Sequence, residues 1–328
     1  MHIGKLEFIW NLASGHWNFL EEMRIVFFGT PVFAIPSLNA LFQSAEEVVA
    51  VVTQADKPKG RHHIPSPPPV KEFTMNREIK IFQPTSIKDS GFLNELTNMR
   101  PDIIVVVAYG KILPAQILRL PLHGCINVHA SLLPKYRGAA PIQWAIINGE
   151  KKTGITTMLM DEGLDTGDIL LQDETEIADD DNAETLSKRL AEKGASLLLK
   201  TVNGIKDGSV KPTPQVGTPT YAPPLKKEDG RIDWSKAAAD IFNFVRGMFP
   251  WPCAYCYLSK ERIKIIRVKA LEGFGVPQRI EKAKKGELVI GTGKGLISII
   301  ELQPEGKRLM SAKDFLLGRK LEEGSLFQ

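Results

Sequence analysis

Ile103-Ile-Val-Val-Val107 is a run of five β-branched apolar residues with no polar side chain on either face. Such a strand must be covered on both sides, as the central strands of a parallel sheet are. Four similar runs lie between residues 24 and 207, separated by longer stretches. They are Ile25–Phe28, Val48–Thr53, Ile79–Phe82 and Ile126–Val128. Together the five runs predict one open, largely buried sheet.

The stretches between these runs carry helix signals. The clearest are Ser37–Phe42, Asp89–Asn98 and Ala183–Ile205. In the last of them, leucines recur on one face at helical spacing. Strands that alternate with helices predict an α/β, doubly wound, Rossmann-like domain. Its first turn, which begins at Gly29, lacks the G-x-G-x-x-G spacing that holds a pyrophosphate, so we expect no nicotinamide cofactor.

The sequence pattern changes after residue 207. Residues 208–225 are rich in proline and glycine and predict an extended linker. Short alternating apolar runs follow, spaced by glycine and charged residues, as in a small β-barrel. They are Ala254–Leu258, Ile263–Val268, Glu287–Ile290 and Leu296–Leu302. We therefore expect a catalytic domain at 23–207 and an OB-like domain at 226–328, with residues 1–22 as an N-terminal extension.

The composition is that of a globular protein, since 43% of the 328 residues are hydrophobic and the length suits two domains. Three cysteines are too few to cross-link such a chain, which favours the reducing cytoplasm. Cys253 and Cys256 form a Cys-x-x-Cys pair without two further ligands, so we expect no metal site. No apolar run reaches the roughly 18 residues of a membrane span, so we expect no membrane partner.

Charge is unevenly distributed along the chain. Residues 209–328 hold 21 Lys and Arg against 13 Asp and Glu, a net charge of +8. Residues 1–208 hold 21 against 25, a net charge of −4. A basic barrel favours a polyanionic partner such as nucleic acid, although a soluble lysine-rich surface would have the same composition.

Ligands of doubly wound sheets bind beyond the carboxyl ends of the strands, where three polar residues can form a site. Asn127 and His129 are two positions apart at the end of an apolar run, so their side chains point the same way. The Asn127 amide can stabilise an oxyanion, and His129 can accept a proton near neutral pH. Asp165, 36 positions after His129, can orient the imidazole.

No residue of this group is an obvious covalent nucleophile. Ser131 lies in Ser-Leu-Leu-Pro rather than on the elbow of a serine hydrolase, so we expect direct transfer between two bound substrates. A structural interpretation of the three polar residues also stays open at this point. A histidine at a strand end often serves only as a hydrogen-bonding group, and Asp165-Thr-Gly167 could be a simple turn.

Several motifs, in order along the chain, resemble the formyltransferase family that uses 10-formyltetrahydrofolate. The strongest are Asn127-Val-His-Ala-Ser-Leu-Leu-Pro134, Arg137-Gly-Ala-Ala-Pro-Ile-Gln143 and Met160-Asp-Glu-Gly-Leu-Asp-Thr-Gly-Asp168. Further similar segments are Arg24-Ile-Val-Phe-Phe-Gly-Thr-Pro31, Val105-Val-Val-Ala-Tyr-Gly110, Arg231-Ile-Asp-Trp234 and Pro250-Trp-Pro252. Within the family, the resemblance is greatest to the branch whose acceptor is charged initiator methionyl-tRNA. It extends from Met23 nearly to the C-terminus.

The resemblance implies an enzyme of translation initiation. The formyl group of 10-formyltetrahydrofolate would pass directly to the α-amine of methionine on the tRNA, through a tetrahedral intermediate. Asn127, His129 and Asp165 would be the catalytic residues. The folate-binding residues would be Tyr109, Ser131, Leu132, Leu133 and Pro134. We expect a cytoplasmic monomer without a bound metal.

A basic loop follows the second predicted strand and contains Lys57, Lys59 and Arg61. Composition alone would favour an ordinary solvated loop. The resemblance implies instead that the loop meets the acceptor end of tRNA, with Arg61 as the first contact. Here His62-His63 and a proline run follow the arginine, which departs from the more usual form of the family.

Other acceptors and another class of protein remain as alternatives. An aminosugar formyltransferase would share Asn-x-His and Ser-Leu-Leu-Pro, and a formyltetrahydrofolate hydrolase would use the same three polar residues with water. Glycinamide ribonucleotide formyltransferase would not need the C-terminal domain. An RNA-binding module would use the barrel without chemistry. Arg137-Gly-Ala-Ala-Pro141, Leu164-Asp-Thr-Gly167 and the long basic loop favour the tRNA enzyme.

Overall fold

The computed structural model describes residues 8–10, 17–19, 22–59 and 64–327. Its first two strands, β1 (Phe8–Trp10) and β2 (Trp17–Phe19), pair with each other in antiparallel fashion. The predicted N-terminal extension therefore contains a strand pair of its own.

A seven-stranded sheet follows, and the chain also forms two separate short strand pairs. The strands up to residue 176 are β3 (Arg24–Gly29), β4 (Glu47–Val52), β5 (Lys57–Lys59), β6 (Ile64–Ser66), β7 (Lys80–Phe82), β8 (Ile103–Val107), β9 (Cys125–His129), β10 (Arg137–Gly138), β11 (Lys152–Leu159) and β12 (Ile169–Glu176). The sheet has the order β12-β11-β9-β8-β3-β4-β7. The strands from β9 to β7 in that order run parallel, and β11 is antiparallel to β9.

Helices connect these strands. They are α1 (Ile35–Gln43, after a 3₁₀ turn at Val32–Ala34), α2 (Pro69–Thr74), α3 (Ser90–Asn98), α4 (Ala115–Leu118), α5 (Pro141–Ile147) and α6 (Ala183–Lys206). Asp89 caps α3 by accepting a hydrogen bond from the Phe92 N–H at 2.9 Å. Among the described residues no helix, α6 included, is both long and apolar enough to cross a bilayer.

The strand order reverses between β3 and β8, since the chain adds β4 and β7 on one side of β3 and β8 and β9 on the other. Such a reversal opens a crevice at the carboxyl ends of the strands. The strands are buried on both faces; β8 is buried at every position. One face packs in a core that includes Val26, Phe28, Val106 and Leu96. The predicted doubly wound α/β domain is confirmed.

The C-terminal part of the chain is mainly antiparallel β structure. It comprises β13 (Tyr221–Ala222), a 3₁₀ turn at Glu228–Gly230, α7 (Ala238–Met248), β14 (Ala254–Leu258), β15 (Glu261–Leu271), β16 (Ile280–Lys284), β17 (Glu287–Gly291), β18 (Leu296–Pro304), β19 (Met310–Ser311) and α8 (Ala312–Leu317). The sheet order is β14-β15-β18-β17-β16, with β19 on β18. Leu326 and Phe327 bridge to Arg279 and Leu258, beside the two outermost strands. The prediction of a C-terminal β domain is confirmed, and its strands are antiparallel; an OB-like barrel stays a prediction.

The chain divides into two compact units that interleave along the sequence. The first contains the described parts of Met1–Arg137, Gly154–Glu174 and Lys188–Thr220, and the second contains Gly138–Thr153, Thr175–Ser187 and the described part of Tyr221–Gln328. The predicted domain bounds are continuous along the chain, and they stay a prediction.

Within the second unit, α5 packs closely against α7. A Cβ atom at Gly247 of α7 would lie 2.6 Å from Cγ1 of Ile147 and 3.1 Å from the carbonyl oxygen of Gln143. Only glycine permits this approach, so the two helices share one core with the antiparallel strands.

Candidate active site

Strand β9 presents Asn127 and His129 at its carboxyl end. Asn127 is opposite Val106 of β8, and His129 is opposite Thr156 of β11. Because side chains alternate along a strand, residues 127 and 129 point to the same side, as predicted. Asn127 is half-buried and the His129 side chain is only 7% exposed, so bulk water has little access to the imidazole.

The two nitrogens of the His129 ring face different groups. Nε2 lies 3.0 Å from the carbonyl oxygen of Tyr136. A carbonyl can only accept, so Nε2 carries the hydrogen and donates it. Nδ1 then faces the Asp165 carboxylate, with Oδ2 at 3.7 Å. The ring nitrogen that can exchange a proton is therefore Nδ1.

Asp165 reaches the site from the turn that joins β11 to β12. Its backbone has a positive φ of +52°. Asp161 stabilises the turn, because its Oδ1 accepts hydrogen bonds from the Gly163 N–H at 3.0 Å and from the Thr166 hydroxyl at 2.6 Å. A Cβ atom at Gly167 would lie 1.8 Å from the carbonyl oxygen of Leu159, so only glycine fits there.

The carboxylate of Asp165 joins the other two polar residues. One oxygen, Oδ1, lies 3.4 Å from Nδ2 of Asn127, and the other faces His129. The structure thus brings together the three residues that the sequence singles out. A long amide contact and a buried imidazole beside a carboxylate form an arrangement that can bind an oxyanion and move a proton.

The predicted folate-binding segment continues directly from β9. Ser131 and Leu133 are buried, and Leu132 and Pro134 are half-buried. Thr156 fixes the backbone: its hydroxyl donates to the Ser131 carbonyl at 2.7 Å and accepts from the Leu133 N–H at 3.1 Å.

The Ser131 hydroxyl donates to the Lys135 carbonyl at 2.6 Å rather than to an imidazole. A serine nucleophile would need a base at that position. The arrangement favours direct transfer.

Tyr109 contributes to the same edge of the sheet through its backbone. Its carbonyl accepts from Nε2 of Gln54 at 2.8 Å. The ring is buried edge-on against Phe28, with centroids 5.1 Å apart, and burial raises the pKa of Tyr109 to about 12. A folate contact by this side chain stays a prediction.

The basic loop is described in part. Lys57 is exposed, and its Nζ donates to Oε1 of Gln54 at 2.8 Å. Lys59 lies on β5, which pairs with β6, whereas Arg61 lies outside the described residues. Tyr109 and this hairpin are therefore linked through Gln54, while the tRNA contacts stay a prediction.

Comparison with known proteins identifies the family. The formyl transferase family model matches residues 23–202, and the model of the formyl transferase C-terminal domain matches residues 224–320. A methionyl-tRNA formyltransferase of Thermodesulfovibrio yellowstonii is 56% identical over 92% of this chain and 97% of its own. The chain belongs to the methionyl-tRNA formyltransferase family. A second relative of that name, from Pelotomaculum thermopropionicum, is 52% identical over 92% of this chain and 97% of its own.

A solved structure shows the same fold at low identity. HypX from Aquifex aeolicus, in complex with tetrahydrofolic acid, is 16% identical, with a TM-score of 0.63 over 94% of this chain. The matched part is 51% of that chain, so this formyltransferase chain spans about half of its length.

Sequence reasoning missed Gln215, which the structure places against the turn of Asp165. Residues 208–225 are predicted as a linker, yet Thr213 pairs with Ile169 through two hydrogen bonds of 2.8 Å. The side chain of Gln215 then reaches the carbonyls of Asp165 and Gly167. No local signal marks one glutamine in a proline-rich stretch as different from a solvated residue.

Proposed function

We propose that the chain transfers the formyl group of 10-formyltetrahydrofolate to the α-amine of methionine on initiator methionyl-tRNA. The products are formylmethionyl-tRNA for translation initiation and tetrahydrofolate. The observation that supports this most directly is the meeting of Asn127, His129 and Asp165 at one sheet edge, in a chain of this family.

Transfer begins with attack of the neutral amine on the formyl carbon. A new C–N bond forms while the carbonyl electrons move to oxygen, giving a tetrahedral intermediate. The Asn127 amide donates a hydrogen bond to that oxyanion, an interaction worth about 3–4 kcal/mol in acyl-transfer sites. Asn127 is held for this role by its contact with Asp165.

His129 accepts a proton from the attacking amine and later donates it to the leaving nitrogen. Because Nε2 already donates to Tyr136, the attacking nitrogen gives its proton to Nδ1. The Asp165 carboxylate stabilises the imidazolium that forms. The same proton passes to the folate nitrogen as its bond to the formyl carbon breaks, so charge and atoms balance without a covalent enzyme intermediate.

The segment Ser131–Pro134 positions the folate. The side chains of Thr156 and Gln172 hold the backbone of this segment in place. Gln172 Nε2 donates to the Leu133 carbonyl at 3.0 Å and to Thr156 Oγ1 at 2.9 Å. A fixed wall next to His129 lowers the entropic cost of bringing the formyl carbon to the amine.

The tRNA binds through the basic loop and the C-terminal domain. Lys57, Lys59 and Arg61 meet the acceptor end. In the second unit, the guanidinium carbon of Arg262 lies 4.0 Å from the ring centroid of Tyr255. The guanidinium carbon of Arg231 lies farther, at 5.9 Å, from the ring centroid of Tyr257. The Tyr255 ring is buried, so charge rather than base stacking supports this surface: arginines within residues 209–328, a region of net charge +8, suit a phosphate backbone.

The enzyme acts as a monomer in the cytoplasm, where its acceptor is made. We propose that the transfer uses no bound metal.

A competition assay tests the acceptor. Labelled formyl from 10-formyltetrahydrofolate is followed into charged initiator methionyl-tRNA, with elongator tRNA, a nucleotide aminosugar and water alone as competing acceptors. Label chiefly on the initiator tRNA supports the proposal. Label on the sugar, or released as formate, would contradict the proposed acceptor while leaving the folate site in place.

A variant separates catalysis from binding. His129→Ala should abolish turnover and leave tRNA binding unchanged, because His129 meets only the methionyl amine whose proton it accepts, whereas the tRNA is bound through its phosphates elsewhere. A wild-type protein that binds tRNA but transfers no formyl group would favour an RNA-binding module.

A further inference from the structure

We propose that Gln215 and Arg137 are positioning residues that hold the carboxylate of Asp165 against His129. The inference rests on the proposed formyl transfer, and it adds two residues outside the catalytic trio to the machinery of that reaction. Both residues are half-buried and belong to the first unit.

The side-chain amide of Gln215 is fully used in this contact. Its Nε2 donates to the carbonyl of Asp165 and to the carbonyl of Gly167, each at 2.8 Å. Its Oε1 accepts from Nε of Arg137 at 3.2 Å and from Nη2 at 2.7 Å. Two donors and one acceptor are thus directed at three fixed groups, and the hydrogen bonds to the guanidinium are charge-assisted.

This contact compensates for the backbone conformation of Asp165. A φ of +52° is disfavoured for a residue with a side chain, so the turn needs other interactions to remain in this state. The Gln215 amide can bind both carbonyls only while residues 165 and 167 keep their present orientation. Release of the amide would let the Asp165 carboxylate leave its position 3.7 Å from the imidazole.

Arg137 links the contact to the other nitrogen of His129. It follows Tyr136, whose carbonyl accepts from Nε2 of His129. The chain of hydrogen bonds therefore runs from the Asp165 turn through Gln215 to the residue next to Tyr136. We call this link from the Asp165 turn through Gln215 to Arg137 the Gln215 bridge. It fixes the spacing of the two groups that flank the imidazole, the Asp165 carboxylate and the Tyr136 carbonyl.

The segment that carries Gln215 is itself anchored on both sides. Thr213 and Ile169 exchange two backbone hydrogen bonds of 2.8 Å. Thr220 accepts from the Tyr136 N–H through its hydroxyl and from the Arg137 N–H through its carbonyl, each at 2.9 Å. Gln215 is thus presented from a fixed backbone, as a preorganised support requires.

Three variants test the Gln215 bridge. Gln215→Leu removes all the hydrogen bonds of the side chain at residue 215 and leaves a side chain of similar size. Gln215→Glu keeps an acceptor for Arg137 but removes both donors to the turn. Arg137→Lys keeps the charge and removes the two-nitrogen contact. Gln43→Leu is the matched control, because Gln43 is an exposed glutamine at the last position of α1, just before the chain enters β4.

In the transfer assay, both Gln215 variants should lower kcat about 10–100-fold, as expected for a reacting group displaced by about 1 Å. KM for 10-formyltetrahydrofolate and for charged tRNA should stay within threefold of wild type. The double variant Gln215→Leu/Arg137→Lys should lose no more than Gln215→Leu alone, because the residues act as one unit. The control should match wild type.

A spectroscopic readout needs no acceptor. The ¹⁵N ring signals of His129, assigned with His129→Gln, should change in free Gln215→Leu protein and remain unchanged in the control. A loss of stability alone would lower the amount of folded protein without moving those signals.

Several results would overturn the inference. They are a kcat for Gln215→Leu within twofold of wild type, a raised KM with unchanged kcat, additive losses in the double variant, or unchanged His129 signals. If wild type formylates no tRNA, the proposed function fails, yet the His129 signals still decide whether Gln215 positions Asp165.

Discussion

Replacing Gly167 by alanine tests whether the turn that carries Asp165 sets the rate of transfer. A Cβ atom at residue 167 would lie 1.8 Å from the carbonyl oxygen of Leu159 and 2.9 Å from its carbonyl carbon. Atoms in favourable contact are about 3.5 Å apart, so the turn or the end of β11 must move by about 1–2 Å. Both partners are backbone, and no flexible side chain can absorb the change.

The size of the effect follows from that movement. Misplacement of a reacting group by about 1 Å can lower a rate about 100-fold. Overpacking costs about 1–3 kcal/mol of unfolding free energy, and each kcal/mol lowers Tm by about 2–4 °C in a domain of 150–250 residues. We expect kcat of Gly167→Ala to fall about 100-fold and Tm to fall by about 2–12 °C. The KM for 10-formyltetrahydrofolate should change little, because the folate segment is held elsewhere.

Single-turnover transfer of labelled formyl and thermal denaturation measure the two effects. Gly318→Ala is the control, because its new Cβ atom would meet only the Phe315 carbonyl at 3.8 Å and the Asp314 carbonyl at 3.9 Å. Its rate and Tm should match wild type. If Gly167→Ala kept kcat within twofold while its Tm fell, the close approach to Leu159 would not determine where Asp165 lies, and the reasoning would be refuted.

Four other predictions concern separate parts of the protein. Asn127→Ala should lower kcat about 10²–10³-fold in single turnovers through loss of the oxyanion donor, and a loss below fivefold would exclude that role. The wild-type rate should rise with pH through the neutral range, because attack needs a neutral amine; a flat profile would contradict the scheme. Arg61→Ala should weaken tRNA binding and reduce its salt dependence by about one phosphate contact, with folate binding unchanged in the same titrations. Cys125 is buried, which raises its pKa to about 12, so a thiol reagent at pH 8 should modify it only after unfolding.

The sequence alone predicts the parallel strands, because apolar side chains occupy both faces of each strand and so form continuous apolar runs. The run Ile103–Val107 coincides with β8, and its neighbours match in the same way. The apolar pattern indicates no strand at β11, although Thr156 and Thr157 are fully buried there. Thr157 Oγ1 pairs with Thr201 Oγ1 at 2.8 Å, and Thr156 bonds to the Ser131 carbonyl. Hydroxyl groups that find partners inside the protein leave no apolar pattern in the sequence.

The candidate site was predictable where it depended on local geometry. The alternation of a strand places Asn127 and His129 on one side, and the structure agrees. The contact between His129 and Asp165 depends on the turn after β11, which spacing alone does not define. Gln215 lies 50 residues beyond Asp165 and meets it only because the intervening chain returns to β12.

The sharing of one core by α5 and α7 has a consequence during synthesis. On the ribosome, α5 is complete about 90 residues before α7 begins, which at about 5–20 residues per second is a delay of roughly 5–20 s. During that interval the apolar side chains of Trp144 and Ile147, which pack on the core that α5 shares with α7, have no α7 to cover them. The nascent chain must therefore pass through a partly folded state with an exposed helix face, a natural binding site for a ribosome-associated chaperone.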